Sequence, residues 1–409
     1  MKKIKITQID ILAHGQFVSL FGDTVFSVAL SYIVLKKTGS TAIMASMNSV
    51  SMIFRIITSF FAGPLIDNSN KKKIIIYSDI LRGFVIVTLA VLLLFKIDYI
   101  VFYYLAMIIL GITSSLFKPA INSTIVDIAD ENNMEKENAK INNSGFIADI
   151  LGNAFCSYAF SLISPVILVF MNGISYIYSA ITEIFLKIPY EKKERKNNYL
   201  SDLLLGYKYV MGEKALLIFI GFCMSINFFL SMIDILYLPY FETTSSFGVK
   251  GYSYAMMAFS VGTVFISSLI SHELFVIKKR NRNVFLFTLL YALLSIFVLG
   301  FDSLIMYIAV FFGLGICHAT RQTILVSALQ RGIDRNHKGM AFSFYSMALN
   351  IFKPISYLVG GVLADLFNIK YLFCAVFIGS VICAVVFTNI SFFAEFIERK
   401  ENSDITVLS

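Results

Sequence analysis

The chain has 409 residues, of which 57% are hydrophobic and 15% charged, and its mean hydropathy is +0.77. Soluble domains carry about 25% charged residues, so this composition excludes a soluble enzyme with a large core. The formal net charge is +8, but the basic residues form short clusters between apolar runs instead of a basic face with interspersed aromatic residues, so no nucleic-acid partner is expected. The sequence therefore predicts an integral membrane protein.

Apolar segments long enough to cross a bilayer recur along the whole chain. A hydrocarbon core of about 30 Å requires roughly 20 apolar residues in a helix. By that measure we predict twelve spans, at approximately residues 11–35, 43–66, 74–95, 99–120, 144–164, 166–188, 215–240, 252–275, 284–301, 303–326, 340–364 and 370–397. The first run follows three lysines but shows no small-residue cleavage site, so we expect an uncleaved span instead of a signal peptide.

The basic residues orient these spans. If the N-terminus is cytoplasmic, twenty-four lysines and arginines, Arg82 among them, fall on the cytoplasmic side and five on the opposite side. Basic loops tend to remain in the cytoplasm, so we expect both termini there. The abundance of Lys, Ile and Asn is typical of a low-GC bacterium, so the expected location is a bacterial cytoplasmic membrane.

The longest polar break divides the predicted spans into two halves. The expected parts are a six-helix half at residues 1–188, a cytoplasmic linker at 189–214, a second six-helix half at 215–397 and a cytoplasmic tail at 398–409. The pattern Gly-x-Leu-x-Asp occurs at residues 63–67 and again at 361–365, at the ends of the second and eleventh spans. The two copies face opposite sides, as inverted three-helix repeats within each half require.

Polar side chains inside the predicted spans are the candidate functional residues, because a charge in a bilayer is costly unless it faces a cavity or a partner. We expect one or more of Asp23, Asp149 and Asp234 to bind and release protons during transport. Polar stripes on several spans are expected to face a shared water-filled cavity. Six side chains are the candidates for contact with substrate: Asn48, Arg55, Asn227, Asn350, Lys353 and Tyr357.

Structural roles are open for some of these residues. Asp23 and Arg55 could form an ion pair that joins the first two spans. Glu183 and Lys187 could reach the membrane interface by snorkelling. Inside the spans, acids outnumber bases, which favours a neutral or cationic substrate. The four acids counted are Asp23, Asp149, Glu183 and Asp234, and the two bases are Arg55 and Lys353. The four histidines and five cysteines show no ligand spacing, so no cofactor or metal is expected.

Several motifs resemble the major facilitator superfamily. GPLIDNSNKKKIII, residues 63–76, is similar to the family's loop between helices 2 and 3, whose usual form is G-x-L-x-D-R-x-G-R-[RK]. SLFGDTVFSVALSYIVLKKTGS (19–40), FKPAINSTIVDI (117–128) and KGMAFSFYSMALNIFKPISYLVGGVLAD (338–365) resemble the drug-exporter branch that contains macrolide-efflux-type proteins. The resemblance implies the two-half, twelve-helix major facilitator fold.

The resemblance also implies a conformational latch at the loop between helices 2 and 3. In the family, the aspartate that Asp67 matches ties helix 2 to the neighbouring half in the outward-open state. The latch residues implied here are Gly63, Asp67, Lys71, Lys72 and Lys118. Asn68 and Asn70 replace the family's arginine and glycine, so we expect a weakened latch, with a turn that survives because Asn tolerates left-handed geometry.

We therefore predict a secondary transporter that exports a lipophilic small molecule, such as a drug, antibiotic or peptide-like metabolite, by alternating access and in exchange for protons. It is expected to act as a monomer in the lipid bilayer. An alternative is a transporter of lysophospholipid or another lipid-like molecule, and a different class of alternative is a membrane sensor without transport. No Walker loop, zinc motif or G-x-S-x-G sequence suggests an enzyme.

Overall fold

The computed structural model is built from α-helices. It describes residues 7–67, 69–128, 134–188, 210–275, 277–333 and 338–399, and no β-strand occurs within these ranges. The helices of the N-terminal part are α1 Gln8–Thr38, α2 Thr41–Asp67, α3 Lys71–Leu94, α4 Ile100–Ile128, α5 Met134–Ala159 and α6 Pro165–Ile184. Those of the C-terminal part are α7 Lys214–Thr243, α8 Gly248–Ser271, α9 Arg280–Phe297, α10 Leu304–Gly332, α11 Lys338–Leu366, α12 Ile369–Thr388 and α13 Ser391–Glu398.

Within the described ranges, eleven of these helices are long and apolar enough to cross a membrane. The remaining long helix, α5, has 26 residues, but its first half carries two glutamates and two lysines. Each predicted span overlaps one of α1 to α12, so the prediction of an all-α membrane protein is confirmed. The twelfth span is predicted too long, because α12 ends at Thr388 and α13 follows as a separate helix.

Local sequence signals account for the helix ends. Thr7 caps α1: its Oγ1 accepts a hydrogen bond from the Asp10 amide at 3.1 Å, and Asp10 Oδ2 accepts one from the Thr7 amide at 2.7 Å. This reciprocal pair is a capping box. Gly39 ends α1 in the left-handed conformation, at φ 64° and ψ 6°, which glycine adopts without steric cost.

Asn70 corrects one expectation. The residue is not left-handed: it has φ −71° and ψ 107° and forms the N-cap of α3. Its side-chain oxygen accepts a hydrogen bond from the amide of Lys73 at 3.2 Å. Asparagine is among the best N-cap residues, so the turn before α3 is stabilised by capping.

The chain divides into two compact units, residues 1–196 with 238–257 and residues 197–237 with 258–409. In the first unit, α1 packs against α5 and α6, α3 packs against α4 and α6, and α2 packs against α4. In the second unit, α9 packs against α10 and α12. The predicted linker lies largely outside the described residues, which resume at 210.

Glycines bring two helix pairs into close approach. A Cβ added to Gly111 of α4 would overlap the backbone of Ser51 in α2, and one added to Gly315 of α10 would overlap the backbone of Phe259 in α8. Small residues allow such contacts between membrane helices, where packing replaces the hydrophobic driving force. The second and fourth helices are therefore paired in both the N-terminal and the C-terminal set of helices.

We expect Gly315→Ala to lower the free energy of unfolding, because the added methyl group meets the backbone of α8. Overpacking of this kind costs about 1–3 kcal/mol. Alanine is a better helix former than glycine by about 1 kcal/mol, which would raise the free energy of unfolding. A fall in that free energy is therefore due to overpacking. The measurement is the thermal unfolding midpoint in detergent, with Gly300→Ala as control, since no atom lies within 4 Å of a Cβ there. Equal midpoints for the two variants would contradict the close approach.

Candidate functional site

Asp23 of α1 meets polar side chains of α6 inside the first unit. The hydroxyl of Tyr176 donates a hydrogen bond to Asp23 Oδ1. Asn172, one turn earlier on α6, also faces this carboxylate. The amide oxygen of Asn172 accepts a hydrogen bond from Ser175 Oγ at 3.1 Å. Residues four apart share one face of a helix, so α6 presents Asn172 and Tyr176 together to α1.

A buried ion pair on α3 lies beside them. Arg82 Nη1 is 3.3 Å from Asp79 Oδ1, and their side chains are only 5% and 0% exposed. On α4, Thr113 Oγ1 accepts a hydrogen bond from Arg82 Nε at 3.0 Å. The guanidinium carbon lies 4.3 Å from the ring centroid of Phe117 and 5.6 Å from that of Tyr176. Arg82 is therefore held by groups on α3, α4 and α6.

Glu183 completes this group of charges. It is 1% exposed, and its Oε1 accepts a hydrogen bond from Ser179 Oγ at 3.4 Å. The charges of Asp79 and Arg82 act on it electrostatically. Among the described residues, no hydrogen-bond partner is present for Glu183 Oε2 or Asp79 Oδ2. Glu183 is buried, so the prediction that it could snorkel to the interface is wrong.

These side chains form one acidic cluster, in which three carboxyl groups share one guanidinium. Its members are Asp23, Asp79, Arg82 and Glu183. Only Asp23 and Glu183 were singled out in the sequence. Arg82 was counted with the cytoplasmic basic residues, but it is 4% exposed within α3. In the sequence, Asp79 and Arg82 are an acid and a base three residues apart inside an apolar run, and this pattern could have indicated a buried ion pair.

Asp149 of α5 lies at the edge of the acidic cluster. Its Oδ1 accepts a hydrogen bond from Thr24 Oγ1 at 2.7 Å, and Thr24 adjoins Asp23 on α1. The side chain of Asp149 is exposed, whereas Asp23 is half-buried. The charge of Asp149 also acts on Asp23. The structure thus brings two of the three predicted proton sites together in the first unit.

The third predicted proton site, Asp234 of α7, belongs to the second unit. The charges of Lys353 on α11 and Arg321 on α10 act on its carboxylate. Asp234 is exposed, whereas Arg321 is only 3% exposed. The Lys353 ammonium lies 5.6 Å from the ring centroid of Tyr357, so two of the predicted substrate-contacting residues are neighbours.

The other substrate candidates are less distinctive. The amide groups of Asn48 and Asn350 donate hydrogen bonds to carbonyl oxygens of their own helices, at 3.0 Å and 2.8 Å. Asn227 is half-buried in α7, and Arg55 is exposed on α2. The charge of Arg82 acts on Asp23, and the sequence did not indicate this basic neighbour.

The implied latch residues lie around the start of α3. Lys72 Nζ donates a hydrogen bond to the carbonyl oxygen of Ile184, the last residue of α6, at 2.6 Å. Lysine is favourable at a helix C-terminus, where carbonyl groups lack partners. Lys71 begins α3, and Lys118 is exposed on α4. Gly63 and Asp67 fall within α2, but the Asp67 side chain and Asn68 lie outside the described residues.

Comparison with known proteins identifies the family. The family model described as Major Facilitator Superfamily matches residues 12–332 and 275–405. The structure is similar to crystal structures of the nucleoside transporter NupG and of a point mutant of NupG, each with a TM-score of 0.75 and 15% sequence identity. The alignments cover 93% of this chain and 98% of the NupG chain. A search of curated proteins gives no match.

At 15% identity, the likeness to NupG shows the fold alone. The family match covers most of the chain and confirms the resemblance at the level of the superfamily. The drug-exporter branch stays a prediction. The chain belongs to the major facilitator superfamily and is a multi-pass membrane transporter, not an enzyme.

Proposed function

We propose that this transporter exports a lipophilic small molecule in exchange for protons, by alternating access, and that the acidic cluster carries the protons. The observation that supports coupling is the charge balance of that cluster. Asp23, Asp79 and Glu183 share the single guanidinium of Arg82, so the cluster is neutral when two protons are bound. Unpaired buried charges are strongly unfavourable, and a carboxyl group that binds a proton removes one.

The geometry offers a route and a mechanical effect for the proton. Asp149 is exposed and Thr24 connects it to α1 beside Asp23, so a proton can enter at the edge of the cluster. Loss of a proton from Asp23 strengthens its attraction to Arg82, in competition with Asp79. Because these groups lie on α1 and α3, a change of protonation alters the force between the two helices. Such a charge change can bias a two-state transporter.

The substrate class rests on the sequence. Residues 19–40, 117–128 and 338–365 resemble the drug-exporter branch, and the chain contains 40 phenylalanines. Nucleoside transport is the activity named for NupG, and the fold likeness does not carry it to this chain. Nucleosides therefore enter the functional test as a competing substrate class.

We expect purified protein in proteoliposomes to move lipophilic compounds against their gradient when a pH gradient is imposed, and to leave uridine behind. Asp23→Asn should reduce this uptake to the level of protein-free vesicles, because one proton-binding group is lost. Substrate counterflow without a pH gradient should persist in that variant. Asp98→Asn is the matched control, since Asp98 pairs with Lys37 at 2.7 Å, outside the acidic cluster.

Two results would contradict this function. The first is uptake of lipophilic compounds that is independent of the pH gradient in the wild type. The second is wild-type gradient-driven uptake in Asp23→Asn, Asp79→Asn and Glu183→Gln alike. Uridine uptake without transport of any lipophilic compound would replace the substrate class but leave the coupling question open to the same three variants.

The charge balance of the acidic cluster also predicts how substitutions change the free energy of unfolding. Arg82→Gln leaves three carboxyl groups without their cation and should lower that free energy by about 3–5 kcal/mol, as for other broken buried pairs. Asp79→Asn should cost less, because Arg82 then still serves Asp23 and Glu183. Thermal unfolding in detergent ranks the two variants, with exposed Lys118→Gln as control. A larger loss for Asp79→Asn than for Arg82→Gln would contradict the shared-guanidinium arrangement.

The latch remains part of the proposal. Asp67→Asn should slow transport without preventing membrane insertion. Lys72→Gln should also slow it, because the contact with the Ile184 carbonyl is lost. Lys73→Gln is the adjacent control, since Lys73 is exposed. Initial transport rates, normalised to the protein inserted, decide the matter. Equal rates for the three variants and the wild type would reduce the stretch to an ordinary loop.

A further inference from the structure

The second unit contains a group of charges in which bases outnumber acids. This basic cluster consists of Arg321 on α10, Lys353 on α11 and Asp234 on α7. Resting on the proposed transport of a lipophilic molecule, we propose that the basic cluster binds an anionic group, a carboxylate or a phosphate, carried by that molecule. The transported compound is then an amphiphilic anion, contrary to the neutral or cationic substrate favoured by the sequence.

Arg321 provides the main observation. Its side chain is buried at 3% exposure, and Nε and Nη1 have no hydrogen-bond partner among the described residues. The guanidinium carbon lies 5.7 Å from the ring centroid of Tyr291. Other groups that act on it are Cys223, Cys317 and Tyr345, which carry no formal charge at neutral pH. Two N–H groups of a buried guanidinium without a partner call for an acceptor, and the oxygens of a carboxylate or phosphate are strong acceptors for arginine.

Asp234 lies beside the two cations, at the position that we assign to the anionic group of the ligand. It is the acid on which both Lys353 and Arg321 act, with Lys353 the stronger influence. Asp234 is exposed and Lys353 is half-buried, so a ligand can reach this pair before it reaches Arg321. A bound anion would compete with Asp234 for the two cations. Removing the aspartate charge should therefore strengthen anion binding, while removing a cation should weaken it.

The surroundings of the basic cluster suit the apolar part of such a molecule. Lys353 lies over Tyr357, and Arg321 lies near Tyr291. His318, one turn before Arg321 on α10, has its ring 5.6 Å from that of Phe259. Aromatic rings beside a cation can accommodate both halves of an amphiphile. The count of charges made from the sequence missed this arrangement because Arg321 was not included in it.

The test measures binding to purified protein in detergent, without a membrane or a pH gradient. Four probes share one apolar skeleton and differ in the head group: 4-phenylbutyrate, 4-phenylbutyl phosphate, 4-phenylbutanol and 4-phenylbutylammonium. We expect one or both anions to bind at least roughly tenfold more tightly than the alcohol, as hydrogen bonds to a charged group allow. The carboxylate and phosphate arms show which anion is preferred.

Variants then assign the preference to the basic cluster. Lys353→Gln and Arg321→Gln should each remove the preference of anion over alcohol, and Asp234→Asn should increase it. Lys370→Gln, an exposed lysine of α12, should leave it unchanged. A purely structural role would weaken all four probes alike, so the anion-to-alcohol ratio separates the two roles. If Arg321→Gln does not fold, the opposite effects of Lys353→Gln and Asp234→Asn decide the question.

The inference is overturned if the ammonium or alcohol probe binds as tightly as the anions, if no probe binds, or if Asp234→Asn weakens anion binding. Because no proton gradient enters this assay, its outcome is independent of proton coupling. Loss of coupling in the transport assay with intact anion binding would overturn only the proposed function. Proton-coupled transport of neutral compounds, with no anion preference, would overturn only the anion site.

Discussion

The position of Arg82 governs the interior of the first unit. A guanidinium cannot lose its charge under ordinary conditions, so its burial demands acceptors and anions around it. Asp79 provides one anion at 3.3 Å, and Thr113 Oγ1 on α4 provides an acceptor at 3.0 Å. Tyr176 on α6 presents its aromatic ring to Arg82 and donates a hydrogen bond to Asp23 of α1. The packing of α3 against α4 and α6 therefore surrounds a fixed positive charge.

The sequence predicted the elements better than the chemistry between them. Apolar length and short polar breaks are sufficient to find α1 to α12, because a bilayer permits few alternatives to the helix. Asp23 could be found for the same reason, as an acid in an apolar run. Asp79 and Arg82 lie near the basic start of α3, and Arg82 was counted with the cytoplasmic basic residues. Their burial depends on α4 and α6, and contacts between distant helices leave no local pattern.

Arg321 shows the same limit in the second unit. It lies in the middle third of α10, ten residues before the basic residue Arg331, and only the packing of α7, α9 and α11 residues around it distinguishes a buried guanidinium from a peripheral one. Asn70 is a smaller instance: the sequence placed the turn correctly, and the backbone angles decided between a left-handed turn and an N-cap. Fold similarity to NupG at 15% identity is consistent with architecture being set by apolar pattern rather than by particular polar residues.

The hydrogen bond from Lys72 to the carbonyl of Ile184 ties the first turn of α3 to the last residue of α6. The same two helices meet again further along, where Arg82 lies beside Tyr176. Two contacts at different positions along a helix pair oppose both sliding and separation of the helices. The two helices should therefore move as one rigid body, which ends at the loop after α2. A displacement that begins at the carboxyl groups would then be transmitted to that loop, and a displacement of the loop would be transmitted back to the carboxyl groups.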